Sequence, residues 1–287
     1  MNMKIIFFGT PDYVLPILKA LAKKYEIAAV VTQSPKPTGR KQFITYSPVD
    51  TWAYKRKIPV YYNFEKPLPE ADLGILAAYG KIIPEFIISR FPSGILNVHP
   101  SLLPKYRGAS PVQSATLAGE TETGVTIIKL DNKVDHGPIV TQFKEDILPD
   151  DTNQTLTARL FARSAEVLTQ LIPAYVAGKT KLKPQDEKKA TYTKLFTKED
   201  GFIDLTLNHE PLTIYNFIRA MTPWPGCWTY VQLMANSQGL MAKKRLKILK
   251  AHLNLNPQSL IIDLVQLEGK EPVSWQQLKA GYPSSTF

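Results

Sequence analysis

Short, continuous apolar runs separated by turns and helical spacings fill the first hundred residues, and this alternation restricts the fold more than any other feature of the chain. Residues 4–8, Lys-Ile-Ile-Phe-Phe, form one such run; after Gly9-Thr10-Pro11-Asp12 the apolar residues Val14, Ile17, Leu18 and Leu21 recur at helical spacing. The order is strand, turn, helix. Thr10 is expected to cap the helix with Pro11 at its first position, where a missing amide hydrogen costs nothing. β-rich runs return at residues 27–32, 59–62, 73–77 and 95–98. The pattern predicts an α/β fold, a Rossmann-like, doubly wound, mostly parallel sheet.

Ligands of such sheets bind beyond the carboxyl ends of the strands, which singles out the turns at residues 9–12, 78–81 and 97–104. The first turn lacks a G-x-G-x-x-G pattern, so neither NAD nor FAD is expected. Residues 33–48 carry Pro35, Lys36, Pro37, Gly39, Arg40 and Lys41 without apolar periodicity and read as a long exposed loop. Leu156, Leu160, Val167, Leu168, Leu171 and Ile172 predict a long helix over residues 152–178 that closes the first domain. A polar stretch over 181–200 has the composition of a linker. Beyond it, β-like runs at 228–233, 246–249 and 260–265 predict a small β domain. A chain of 287 residues suits two domains, expected at 1–182 and 205–287 with a linker over 183–204.

The net charge of +10 favours an anionic partner: nucleic acid, a phosphorylated metabolite or an anionic membrane. The amino terminus opens on an apolar run too short for a signal peptide, and no run reaches spanning length. The single cysteine, Cys227, excludes an internal disulfide and a multi-cysteine zinc site and fits a reducing compartment. A cytoplasmic protein that does not engage membranes is the expectation. Cys227 lies between a Pro-Gly turn and Trp228 with no histidine nearby, and reads as a small packed hydrophobe.

Asn97 and His99 stand two apart at a strand end, so their side chains share a face. Asp131 and Asp135 flank a turn before Gly137-Pro138, and either carboxylate could approach His99. An amide to align a carbonyl, an imidazole to meet a developing oxyanion and a carboxylate to manage protons suit acyl transfer without a covalent intermediate. Ser101-Leu102-Leu103-Pro104 offers backbone amides and an apolar wall for a flat heterocycle. His99, Asp131, Asp135 and His136 are also metal-ligand types, but without an H-E-x-x-H spacing no metal is expected. Ser101 is not in a G-x-S-x-G elbow, which argues against a serine hydrolase.

Gly9-Thr-Pro-Asp-Tyr13, Ala78-Tyr-Gly80, Asn97-x-His99, Ser101-Leu-Leu-Pro-Lys-Tyr-Arg-Gly108, Glu122-Thr-Gly-Val-Thr126 and Asp131-x-x-x-Asp135-x-Gly137 occur in the order of the signatures of methionyl-tRNA formyltransferases. The chain resembles that family over most of its length. Thr191-Tyr-Thr-Lys-Leu195 and Pro223-Trp-Pro-Gly-Cys-Trp-Thr229 resemble its interdomain linker and the start of its tRNA-binding domain. The resemblance implies transfer of a formyl group from 10-formyltetrahydrofolate to the α-amine of methionyl initiator tRNA in translation initiation, by an enzyme acting as a monomer. By the same analogy Asn97 orients the formyl carbonyl, His99 stabilises the oxyanion, and Asp135 tunes His99 and moves the amine proton. Ala78, Tyr79, Gly80, Ile82, Ser101, Leu102, Leu103 and Pro104 would line the folate site. Lys36, Arg40 and Lys41 would meet the tRNA acceptor end, and Arg245 and Lys247 its phosphates. Two departures stand out: Lys41 replaces a usual glycine, and the second domain, OB-like β-barrel in the family, is shortened here. Sugar N-formyltransferases and glycinamide ribonucleotide formyltransferase resemble the same Asn-His-Asp core. The core therefore names the reaction better than the acceptor. A nucleotide-linked amino sugar, or RNA binding without catalysis, is the alternative; the Arg40 loop, the linker and the positive charge favour tRNA.

Overall fold

In a computed structural model of the protein, which describes residues 3–39, 41–207, 209–234, 241–255 and 258–282, the first apolar run is strand β1 (Lys4–Gly9), buried at every position beyond Lys4. Helix α1 (Leu15–Ala22) turns Ile17, Leu18 and Leu21 inward and is entered through a 3-10 turn at Asp12–Val14. Thr10 does not cap it, contrary to the sequence reading: Pro11 holds the N-cap position of the 3-10 turn, and the Thr10 hydroxyl donates to the Tyr79 carbonyl oxygen at 3.0 Å. That oxygen lies past the last rung of its strand ladder, at Gly9 and Ala77, and a buried backbone acceptor there needs a side-chain donor.

Strand β2 (Glu26–Val31) is followed by β3 (Lys36–Thr38) and β4 (Phe43–Thr45), an exposed antiparallel hairpin within the stretch that reads as a loop. All six of its strand residues are exposed, so it carries none of the alternation by which strands are recognised. Helix α2 (Pro48–Tyr54) is capped by Ser47, whose Oγ accepts from the Asp50 amide at 3.0 Å. Strands β5 (Val60–Tyr61) and β6 (Leu73–Ala77), helix α3 (Glu85–Ile88) and strand β7 (Ile95–His99) come next. After β8 (Arg107–Gly108) and α4 (Pro111–Leu117), strands β9 (Glu122–Lys129) and β10 (Ile139–Asp146) form an antiparallel pair. The sheet order is β10-β9-β7-β6-β1-β2-β5, with β7 to β5 parallel and β9 antiparallel to β7. This is the mostly parallel α/β sheet that the sequence predicts. Its order reverses between β1 and β6, where such sheets open a ligand crevice. Inner strands are buried almost throughout, whereas β10 alternates, as an edge strand wetted on one face does.

Helix α5 (Asn153–Val176) matches the predicted long helix and buries Leu156, Leu160, Phe161, Ala165, Leu168 and Ile172. Among the described residues no helix is long and apolar enough to cross a membrane. The chain forms two compact units, residues 1–111, 122–146 and 157–193 in one and 112–121, 147–156 and 194–287 in the other. The polar stretch that reads as a linker begins inside the first unit, where β11 (Tyr192–Thr193) pairs in parallel with β8.

In the second unit, α6 (Pro211–Met221) precedes β12 (Cys227–Met234), β13 (Met241–Leu255), β14 (Gln258–Leu267) and β15 (Val273–Ser274), and α7 (Trp275–Gly281) follows. The strands pair in sequence order as a four-stranded antiparallel sheet, the small β domain that the sequence predicts. Its core gathers Val231, Leu233, Leu246, Val265, Leu267 and Leu278. Cys227 packs with Ile203, Ile218, Met221 and Ile248, and burial pushes its thiol up to about 12. A maleimide or iodoacetamide at pH 8 is therefore expected to leave the native protein unlabelled and to modify one thiol after denaturation; rapid native labelling would place Cys227 outside this core.

Candidate active site

Strand β7 ends the apolar core and delivers Asn97 and His99 to one face, two residues apart, at the carboxyl edge of the sheet. Asp135 comes from the turn between β9 and β10. Its two carboxylate oxygens divide the work: Oδ1 accepts from Asn97 Nδ2 at 3.0 Å, and Oδ2 accepts from the Gly108 amide at 2.8 Å and lies 3.4 Å from His99 Nδ1. His99 Nε2 stands 2.9 Å from the Tyr106 carbonyl oxygen, an atom that can only accept, so this nitrogen carries a hydrogen. Asn97 is 7% exposed and His99 4%, which strengthens every one of these interactions by excluding water. Two contributors, the Tyr106 carbonyl and the Gly108 amide, are backbone groups, and no side-chain pattern in the sequence points to them.

Asp131 does not approach His99. It accepts from His136 Nδ1 at 2.6 Å, so the four possible metal ligands separate into two His-Asp pairs. Among the described residues no group of three or more His, Cys, Asp or Glu side chains is placed to hold a metal ion.

The Ser101 to Pro104 stretch corrects one expectation. Two of its three amides are engaged: Ser101 N donates to the His99 carbonyl at 2.9 Å and Leu103 N to Thr126 Oγ1 at 3.0 Å. The Ser101 hydroxyl donates to the Lys105 carbonyl oxygen at 2.7 Å rather than to His99. Thr126 on β9 donates to the Ser101 carbonyl, and Gln142 on β10 reaches both Thr126 Oγ1 and the Leu103 carbonyl. These partners from the neighbouring strands fix the loop, and they lie too far along the chain to be read from it. Ser101 and Leu103 are buried, while Leu102 and Pro104 are half-buried.

The turn after β6 has Ala78 and Gly80 in the left-handed region, at φ 48° and 78°. Tyr79 sends its ring into the core against Phe8, with centroids 6.1 Å apart, and only its carbonyl faces the turn, where Thr10 and Gln33 donate to it. Burial raises the Tyr79 phenol above its ordinary range. Ile82, by contrast, is 81% exposed.

Lys36 and Lys41 are exposed on and beside the β3–β4 hairpin, next to exposed Phe43, Ile44 and Tyr46; Arg40 lies outside the described residues. In the second unit, β12 and β13 alternate so that Trp228 and Tyr230 oppose Lys247 and Arg245 in register. The Arg245 guanidinium stands over the Trp228 ring at 4.3 Å and Lys243 over Tyr230 at 4.2 Å, which holds cations in place without neutralising them.

Residues 3–172 match the formyl transferase family and residues 195–259 the formyl transferase C-terminal domain. A methionyl-tRNA formyltransferase of Chloroflexus aggregans is 43% identical over 238 residues, which cover 79% of this chain and 76% of the relative. Two solved structures share the fold. A methionyl-tRNA formyltransferase from Clostridium thermocellum superposes with a TM-score of 0.59 at 18% identity, covering 92% of this chain and 98% of the other. A 4-N formyltransferase from Francisella tularensis does so at 0.64 and 16%, covering 84% and 96%.

Proposed function

The chain belongs to the formyl transferase family, and from that premise we propose that it transfers the formyl group of 10-formyltetrahydrofolate to the α-amine of methionyl initiator tRNA. The observation that carries the reading is the convergence of Asn97, His99 and Gly108 on the one carboxylate of Asp135. In the reaction the amine nitrogen attacks the formyl carbon, the bond from that carbon to folate N10 breaks, the amine loses a proton and N10 gains one. Asn97 aligns the formyl oxygen with the amide hydrogen that Asp135 leaves available. His99, whose Nε2 hydrogen the Tyr106 carbonyl holds, meets the same oxygen with Nδ1, carrying there the proton passed by Asp135, as that oxygen gains negative charge in a site where water is excluded. Asp135 takes the proton of the attacking amine and returns it to N10. Attack is direct, and no covalent enzyme intermediate is needed.

Ala78, Gly80, Ile82, Leu102 and Pro104 form the folate-facing surface in this reading. Tyr79 contributes its backbone there, and Ser101 and Leu103 give the loop its shape. Lys36, Arg40 and Lys41 meet the acceptor end of the tRNA, and Arg245 and Lys247 meet phosphates. A monomer working in the cytoplasm, where initiator tRNA is charged, fits this role.

The test supplies 10-formyltetrahydrofolate with charged initiator tRNA and, in parallel, with a nucleotide-linked amino sugar. Formyl-methionyl-tRNA is the expected product. Formylation of the sugar alone would overturn the acceptor, and tRNA binding without turnover would overturn the enzyme. For the phosphate contacts, replacing both Arg245 and Lys247 by alanine should weaken tRNA binding and lower the slope of log Kd against log salt by about 2, one for each cation removed. An unchanged slope would take these residues off the tRNA.

A further inference from the structure

The segment that falls between the two family matches, after residue 172 and before residue 195, reaches the centre of the site. Gln185 uses its full hydrogen-bonding capacity there. Its Nε2 donates to the carbonyl oxygens of Asp135 and Gly137, both at 2.8 Å, and its Oε1 accepts from Arg107 Nε at 3.1 Å and Nη2 at 2.9 Å. Arg107 is 1% exposed and places its other donors on Glu187, with Nη1 to Oε2 at 3.0 Å and Nη2 to Oε1 at 2.6 Å, and on the Tyr192 hydroxyl at 3.1 Å.

Arg107 lies between the two backbone groups that touch the reacting pair, the Tyr106 carbonyl on His99 and the Gly108 amide on Asp135. One amide side chain therefore grips both halves: directly the turn that carries Asp135, and through Arg107 the backbone that brackets His99. Asp135 and Tyr106 both adopt left-handed backbone, at φ 47° and 62°, which non-glycine residues seldom do without surroundings that hold them. Each is tied from this same segment, Asp135 by Gln185 and Tyr106 by Thr191, whose Oγ1 accepts from the Tyr106 amide at 2.8 Å. A role confined to neutralising Arg107 does not account for Gln185, because Glu187 already supplies the countercharge and both Gln185 N–H groups point away from Arg107 to the catalytic turn.

We propose that Gln185 is a positioning residue for formyl transfer, a brace that sets His99 and Asp135 in register; the inference rests on the formyl-transfer reading of that site. Gln185→Glu keeps the length and the oxygen for Arg107 but sets an oxygen against the Asp135 and Gly137 carbonyls. With rates normalised to the concentration of sites that bind folinic acid, kcat is expected to fall about thirtyfold while KM for donor and for methionyl-tRNA stays within about threefold. Gln185→Ala, which removes both grips without repulsion, should show the same division and serves if the glutamate variant does not fold. A variant with kcat within about twofold of an active wild-type protein, or one that raises KM and keeps kcat, overturns the brace. A wild-type protein that binds folinic acid and formylates no methionyl-tRNA overturns instead the reading beneath it.

Discussion

Asp135→Ala is expected to lower kcat for methionyl-tRNA formylation by about a thousandfold or more, since it removes the common anchor of Asn97, His99 and the Gly108 amide and, in the proposed mechanism, the proton carrier. Loss of a single donor to an oxyanion typically costs about a hundredfold to a thousandfold, and here the alignment of two donors goes with the carboxylate. Asp135→Asn should not rescue. Whichever way its amide turns, an NH2 group would face either the Asn97 amide nitrogen or the Gly108 N–H, both of them donors. Single-turnover rates with saturating donor measure the effect. A loss smaller than about tenfold would remove Asp135 from the proton path and leave it a structural carboxylate.

Gly137→Ala is expected to destabilise the fold by about 3 kcal/mol or more and to abolish most activity in whatever remains folded. A Cβ at this position would overlap the Lys129 carbonyl oxygen, a backbone atom at the end of β9 that cannot swing aside as a side-chain tip would. The neighbouring rung, from the Lys129 amide to the Pro138 carbonyl at 3.0 Å, must open to make room. The Gly137 carbonyl is itself one of the two that Gln185 holds, so relief of the overlap shifts the catalytic turn. Urea unfolding checks the stability, and a change below about 1 kcal/mol would show that the turn relaxes locally.

The sequence displays the sheet because its inner strands are buried on both faces: residues 5–8 and 73–77 are unbroken apolar runs, and they appear in β1 and β6. The same rule hides other strands. The β3–β4 hairpin is wholly exposed, and β13 extends over Met241–Leu255 although only 246–249 reads as a strand, because Lys243, Lys244 and Arg245 precede that run and Lys250 follows it. Thr10 has the residue type and spacing of a cap, but a carbonyl from across the sheet competes for its hydroxyl. Asn97, His99 and Asp135 are legible as chemistry, since few residue types serve acyl transfer. That Asp135 and not Asp131 meets His99 depends on a turn geometry no residue type encodes. The amides of Ser101 and Leu103 read as available because a tight local turn ties the first to the His99 carbonyl and tertiary structure brings Thr126 to the second. Arg107 and Gln185 are separated by 78 residues, and neither looks unusual alone.

The pairing of β8 with β11 bears on how the protein can be cut. Thr191 and Thr193 bond the backbone on both sides of Arg107, and Gly108 lies so close to Thr193 that a Cβ there would crowd its carbonyl oxygen. A protease nick or an engineered stop anywhere between the end of α5 and Thr193 would spare every residue of the large sheet and still untie the turns on which the chemistry depends. Any piece that retains this arrangement runs at least through Thr193, and turnover with methionyl-tRNA falls sooner in a truncation series, once Arg245 and Lys247 are cut away.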